Sequence, residues 1–306
     1  MSSLFVFPGQ GAQQPGMLHR LPEGSTALIE EAGDCLNESV LALDSVAALQ
    51  STRAVQLCLL LAGVAWARWL MQRSPQPDYV AGLSIGAYAA AVTAQALGFA
   101  DAVRLVSLRG ELMQRAYPQG YGMTALSGLD ASQIEALIAE AGGQVHIANL
   151  NTENQIVIAG SDEAMAAVAT LARRRGQGIA RRLAVSVPSH CPLLDEPASA
   201  LAAAFADVPV QRPRITYLSG SSARPIFDSA RLRDDLAGNM ARVVDWRGTL
   251  GNAYERGVRL QVEMPPGSVL SGLARSVFKE GRVVALDSTR ADTVDALLRQ
   301  EVASTQ

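Results

Sequence analysis

The chain has 306 residues, 49% hydrophobic and 18% charged, with a formal net charge of -3. That length fits two domains or one large domain with an insert, and the composition is globular rather than disordered. The slight acidity disfavours a general nucleic-acid binder, which presents a basic surface. The cysteines Cys35, Cys58 and Cys191, odd in number and far apart, argue against a disulfide framework or a zinc site and fit a reducing, cytoplasmic compartment.

Met1 to Phe7 has no basic stretch and does not read as a signal peptide. Leu4-Phe5-Val6-Phe7 is a short apolar run stopped by Pro8-Gly9, which predicts a buried strand entering the loop Gln10-Gly11-Ala12-Gln13. Apolar spacing predicts a helix from Ala54 to Met71, ended by Ser74-Pro75-Gln76-Pro77. Asp78 to Ala81 is the next strand, followed by Gly82-Leu83-Ser84-Ile85-Gly86 and a helix beginning at Ala87. No charge occurs from Tyr79 to Ala100, but the strand, turn and polar residues in that span favour a buried core segment over a membrane span, and Leu57 to Ala67 is too short to cross. Another helix is expected from Asp101 to about Ala116.

The element pattern changes near Tyr117-Pro118-Gln119-Gly120. A strand is expected over Met123 to Leu129. Asp130 and Gln133 form a capping-box-like pair at the head of a helix that stops at Gly142-Gly143. Strands follow over Val145 to Leu150 and Gln155 to Ala159. Ser161 is placed to cap a helix carrying Asp162 and Glu163 in its first turn and Arg173-Arg174-Arg175 in its last, the polarity that suits a helix dipole. Ala180 to Val187 is expected to be the last strand of this stretch. The order strand-helix-strand-strand-helix-strand is the ferredoxin-like pattern. Residues 120–187 are therefore expected to form a small insert in a core made of residues 1–119 and 188–306. After Pro188, strands at Ile215 to Leu218, Leu260 to Glu263 and Val283 to Leu286 alternate with helices at Val269 to Phe278 and Val294 to Val302. That alternation predicts an α/β fold whose mostly parallel sheet is covered on both faces.

Gly82-x-Ser84-x-Gly86 between a strand and a helix is the setting of a nucleophile elbow, with the Ile85 amide at a helix N-terminus able to donate to an oxyanion. A serine needs a base. Of His19, His146 and His190, only His190 lies where the chain re-enters the main domain, and it is the favoured partner.

Phe7-Pro8-Gly9-Gln10-Gly11-Ala12-Gln13, Gly82-Leu83-Ser84-Ile85-Gly86, Arg109-Gly110 and Val185-Ser186-Val187-Pro188-Ser189-His190 occur in that order. Together they resemble the malonyl-CoA:acyl-carrier-protein transacylases. Asn149-Leu150-Asn151 before Ile156-Val157-Ile158-Ala159-Gly160, and Glu263-Met264-Pro265-Pro266-Gly267-Ser268-Val269-Leu270, extend the likeness over essentially the whole chain. The resemblance implies an α/β-hydrolase-like core with a ferredoxin-like insert. It implies that Ser84 carries the malonyl group as an ester and that His190 shuttles its proton. It further implies that the amides of Gln10 and Ile85 form the oxyanion hole, that Arg109 grips the malonyl carboxylate, and that Asn151 contacts substrate. The donor would be malonyl-CoA, the acceptor a phosphopantetheine-type thiol on an acyl-carrier protein, with no bound cofactor or metal. Without the motif match, Arg109 would read as a surface arginine on a solvated helix face.

The sequence departs from the family at three places. Leu83 stands where histidine is common, Ala87 where glutamate is common, and Asp245 precedes Trp246 where a glutamine often sits whose main-chain carbonyl orients the histidine. The Asp245 carboxylate therefore reads either as an orienting group for His190 or as a surface acid. Gly-Leu-Ser-Ile-Gly-Ala-Tyr resembles the acyltransferase (epsilon) subunit of biotin-independent malonate decarboxylase, whose partner is a dedicated carrier subunit. Arg173, Arg174, Arg175, Arg181 and Arg182 read either as a dipole-matched helix end or as a docking patch for an acidic carrier. A serine hydrolase or thioesterase using the same nucleophile is the alternative activity, and a non-catalytic carrier-binding subunit the alternative of another class. A hydrolase acting on uncharged acyl chains has no use for a buried cation.

Overall fold

The computed structural model describes residues 2–303. Its centre is β1 (Ser2–Phe7), whose apolar run is buried on both faces. On one side β1 pairs in parallel with β2 (Tyr79–Gly82), and β2 with β7 (Thr216–Leu218). On the other side it pairs in parallel with β10 (Val258–Glu263), and β10 with β11 (Arg282–Ala285). The two-residue β8 (Pro225–Ile226) closes one edge antiparallel to β7, giving the order β11-β10-β1-β2-β7-β8. Because β1, β2 and β10 run the same way, the loops after Phe7, Gly82 and Glu263 open on one edge of the sheet, where α/β folds place their sites.

The helices α1 (Thr26–Leu36), α2 (Thr52–Met71), α3 (Gly86–Thr93) and α4 (Phe99–Ala116) share one large apolar core with β1 and β2. Helix α2 is long and apolar enough to cross a membrane by length and composition alone, yet most of it is buried in that core. The uncharged stretch from Tyr79 to Ala100 divides into β2, a turn and α3, all largely buried.

The second sheet is built from β3 (Tyr121–Ser127), β4 (Val145–Thr152), β5 (Gln155–Ser161) and β6 (Ile179–Arg182), with α5 (Ala131–Ala141) and α6 (Asp162–Arg174). Its order, β6-β3-β5-β4, is antiparallel throughout. Asp130 and Gln133 close a reciprocal capping box on α5, and the Ser161 hydroxyl accepts from the Ala164 amide at the head of α6. A fifth strand, β9 (Val244–Asp245), comes from beyond the insert and pairs in parallel with Asn149 and Leu150 of β4. One strand of the small sheet thus belongs to the chain that follows the core helices α7 (Asp195–Ala204) and α8 (Ser229–Gly238).

Two elements are shorter than the sequence suggests. The strand expected to run to Val187 stops at Arg182. The Arg182 guanidinium donates to the carbonyls of Tyr121, Met123, Leu183 and Val185 and pairs with Asp162. The side chain shares the Met123 carbonyl with the Leu183 amide, and past that bond the chain turns off toward Ser189 and His190. The helix after Pro265-Pro266-Gly267, α10 (Val269–Ala274), ends four residues before Phe278, which tucks into the core cluster behind β10. Helices α9 (Trp246–Glu255) and α11 (Ala291–Ala303) complete the covering layers.

Candidate active site

The turn after β2 forces Ser84 into the left-handed region at φ 55°. It is tight enough that a Cβ on Gly82 would collide with the backbone of Gly86, and one on Gly86 with the carbonyl of Phe7. Both glycines are thus demanded by close approach, and together they press the serine up over the end of the sheet. His190, also left-handed at φ 65°, reaches Ser84 from the segment that leaves the insert, with Nε2 2.8 Å from the Ser84 Oγ.

The tautomer follows from the partners of the other ring nitrogen. Nδ1 faces the carbonyls of Asn239 (2.8 Å) and Arg242 (3.2 Å), which can only accept. Nδ1 therefore carries the hydrogen, and Nε2 presents its lone pair to the Ser84 hydroxyl. Burial and then the charge of Arg109 push the His190 pKa from 6.5 down to about 4, with the two carbonyl bonds opposing. The imidazole is neutral at pH 7, the state required of a base.

The Asp245 carboxylate is not part of this arrangement. It accepts from the Gly248 amide at 2.8 Å and caps α9. The reading of Asp245 as an orienting acid is corrected: the carbonyls that hold His190 lie six and three residues upstream, on Asn239 and Arg242. The 3-10 turn Asn239–Ala241 carries the acceptor, and no local pattern in the sequence marks it.

Arg109 lies on α4 and is fully buried. Its Nη1 donates to Gln56 Oε1 (2.7 Å), and its Nη2 to Asn239 Oδ1 (3.1 Å) and Ser84 Oγ (3.3 Å). Among the described residues Nε has no partner and no carboxylate forms an ion pair with the guanidinium. Burial lowers its pKa to about 10. A buried guanidinium held only by neutral oxygens, beside a hydroxyl paired with a neutral imidazole, is an anion site next to a nucleophile.

Ser84, His190 and Gln56 line a cavity of about 480 Å³ between the two sheets, and Arg109 lies buried directly behind Ser84 and Gln56. Gln10 and Ile85 line the cavity, and their backbone amides donate to no backbone or side-chain acceptor among the described residues, which suits them to an oxyanion. Asn151 also lines the cavity. Its amide nitrogen donates to Gln155 Oε1 at 3.3 Å, while its own buried oxygen, like that of Asn149, has no partner among the described residues. His146 lies on β4 and His19 on a short 3-10 turn, and neither lines this cavity. Of the five clustered arginines, Arg181 lines the cavity, Arg182 is spent on carbonyls and Asp162, and Arg175 pairs with Glu140. Arg173 and Arg174 sit in the last turn of α6.

Comparison with known proteins agrees over nearly the full length. The acyl transferase domain family matches residues 4–304. The malonyl CoA-acyl carrier protein transacylase of Haemophilus influenzae is 36% identical over 296 residues, covering 92% of this chain and 94% of that protein. The solved structure of the malonyl CoA-acyl carrier protein transacylase from Coxiella burnetii superposes with a TM-score of 0.92 at 35% identity, covering 97% of this chain and 98% of the other. A malonyl-transacylase solved in complex with a type II polyketide acyl-carrier protein superposes at a TM-score of 0.89 with 33% identity, covering 95% and 97% of the two chains.

Proposed function

This chain belongs to the acyl transferase family, and on that premise we propose that it moves a malonyl group from malonyl-CoA to the thiol of an acyl-carrier protein. The observation that carries the reading is Arg109, a buried cation 3.3 Å from the Ser84 hydroxyl and, among the described residues, without a carboxylate partner.

The donor thioester enters with its carbonyl oxygen toward the Gln10 and Ile85 amides and its free carboxylate toward Arg109. Ser84 Oγ attacks the carbonyl carbon while His190 Nε2 takes its proton. The tetrahedral oxyanion rests on the two amides, and loss of one such donor typically costs about 10²–10³ in turnover. When the intermediate collapses, the His190 imidazolium gives its proton to the departing CoA sulfur and leaves a malonyl-serine ester. The carrier's pantetheine thiol then loses its proton to His190 and attacks the ester, and the returning proton restores Ser84. The Arg109 charge depresses His190. A substrate carboxylate on Arg109 cancels that push, so binding the right acyl group makes the base stronger.

The relative bound to a type II polyketide carrier supports a carrier of fatty-acid or polyketide synthesis as the acceptor. The stretch Gly82–Tyr88 favours, as a second reading, the carrier subunit of malonate decarboxylase. Supplying each holo-carrier to the loaded enzyme and following transfer by mass decides between them.

The direct test is intact mass after mixing the protein with malonyl-CoA, beside Ser84→Ala and with acetyl-CoA as control. The expected result is a malonyl adduct on the wild type alone. Rapid release of free malonate without an adduct would point to a hydrolase and overturn the proposal. Arg109→Ala should cut malonyl loading by about 10²–10³, the loss of two charge-assisted hydrogen bonds, and leave acetyl loading far less affected.

A further inference from the structure

Asn239 touches the nucleophile's residue, the base and the buried cation of the proposed reaction. Its main-chain carbonyl accepts from His190 Nδ1 (2.8 Å), its Oδ1 accepts from Arg109 Nη2 (3.1 Å), and its Nδ2 donates to the Ser84 carbonyl (3.3 Å). We propose that the side-chain amide of Asn239 is a positioning residue that sets acyl selectivity, fixing the Arg109 guanidinium against Ser84 through a neutral oxygen and so leaving its positive charge for the substrate's carboxylate. This inference rests on the malonyl-transfer reading above.

The amide can sit in only one orientation. Arginine has donors and no acceptor, so Oδ1 must face Nη2, and Nδ2 is then directed at the Ser84 carbonyl. One planar group therefore ties the guanidinium to the backbone of the nucleophile turn. Asn239 is itself buried, at 4% exposure, so neither bond competes with water. Gln56, also buried, supplies the matching neutral oxygen on Nη1 at 2.7 Å. A carboxylate would be the obvious partner for a buried arginine, and aspartate has nearly the shape of asparagine. The site has amides at both positions instead. With aspartate at 239, Arg109 would form an internal ion pair, and an incoming malonyl carboxylate would meet a neutralised site and a like charge within about one side-chain diameter. An uncharged acyl group would lose much less. The His190 contact is made by the main chain and survives any substitution at 239, so the side chain's role is separable from that of its backbone.

The experiment measures malonyl and acetyl loading rates by intact mass for wild type, Asn239→Asp, Asn239→Ala and Gln56→Glu. In Asn239→Asp the malonyl-to-acetyl ratio should fall by about tenfold or more, as expected for loss of a hydrogen bond between charged groups. Gln56→Glu should move the ratio the same way from the other side of the guanidinium, and it carries the test if Asn239→Asp does not fold. Asn239→Ala should give a smaller fall and keep the acid limb of the loading profile where the wild type has it. A wild-type ratio in folded Asn239→Asp and Gln56→Glu overturns the inference, as does an equal slowing of both donors. Failure of the wild type to form any malonyl adduct is a different result and removes the functional reading itself.

Discussion

Loading this enzyme with malonate should stabilise it more than loading it with acetate. In the free protein Arg109 is fully buried, makes hydrogen bonds only to neutral oxygens, and has its pKa lowered to about 10. The folded state therefore binds this proton less tightly than the unfolded chain does, so the charged form costs stability at every pH below about 10. At about 1.4 kcal/mol per pKa unit the penalty is about 3 kcal/mol. A carboxylate placed on the guanidinium removes most of it, whereas an acetyl group on Ser84 removes none. With an unfolding entropy of about 2.1 cal/mol/K per residue over the whole chain, 3 kcal/mol corresponds to about 5 °C in Tm, an upper bound because the acyl carboxylate is itself dehydrated. The assay is thermal unfolding of stoichiometrically malonylated and acetylated protein, with intact mass confirming the ester before and after the scan. The malonyl-enzyme should melt higher by about 2–5 °C, and in Arg109→Ala the difference should vanish. A malonyl-enzyme that melts at or below the acetyl-enzyme would refute the view of Arg109 as a charge waiting for its partner.

The His190 pKa, lowered from 6.5 to about 4, has two consequences. Loading by the free enzyme should be flat from about pH 5 upward and fall only toward pH 4. Stability should also decline as pH drops through the window from 6.5 to 4, because there the unfolded chain binds a proton that the folded one does not. The contribution is about 3 kcal/mol, and His190→Gln should flatten that part of a chemical-denaturation pH series. Asp245→Ala should cost about 1 kcal/mol of stability through loss of the α9 cap while leaving the acid limb of loading unmoved; a shifted limb would restore Asp245 to the base. Ser84 sits at φ 55°, so Ser84→Gly should be more stable than Ser84→Ala by about 1 kcal/mol. Equal midpoints would show that the turn is not strained.

Features whose cause is local were legible in the sequence. Asp130 and Gln133 are three residues apart and cap one another; Ser161 and the acids after it mark the start of α6; and Gly82-x-Ser84-x-Gly86 announces a turn that only glycine can make. The parallel sheet followed from alternating strands and helices. What escaped depends on contacts made across long stretches of chain. The carbonyl that holds His190 belongs to Asn239, and any residue type offers a carbonyl, so no side chain could announce it. Asp245 stands before Trp246 where the family resemblance puts a glutamine, which leaves it open as an orienting or a surface acid, but the same group is also a good N-cap, and the helix takes it. The strand β6 ends where Arg182 turns inward, a choice set by carbonyls of β3 some sixty residues earlier. The sequence reading also places no helix at α1 or at α7 to α9.

The pairing of β9 with β4 bears on how this protein can be re-engineered. Transplanting residues 120–187 from a relative treats the small sheet as a cassette, yet its outermost strand lies outside that cassette, at Val244–Asp245. The few residues before that strand include Asn239 and Arg242, the acceptors for His190. A chimera cut at the obvious boundaries therefore sets a foreign edge against the peptide that holds the imidazole. Residues 239–246 should travel with the graft, since the unit that can be exchanged is discontinuous in the chain.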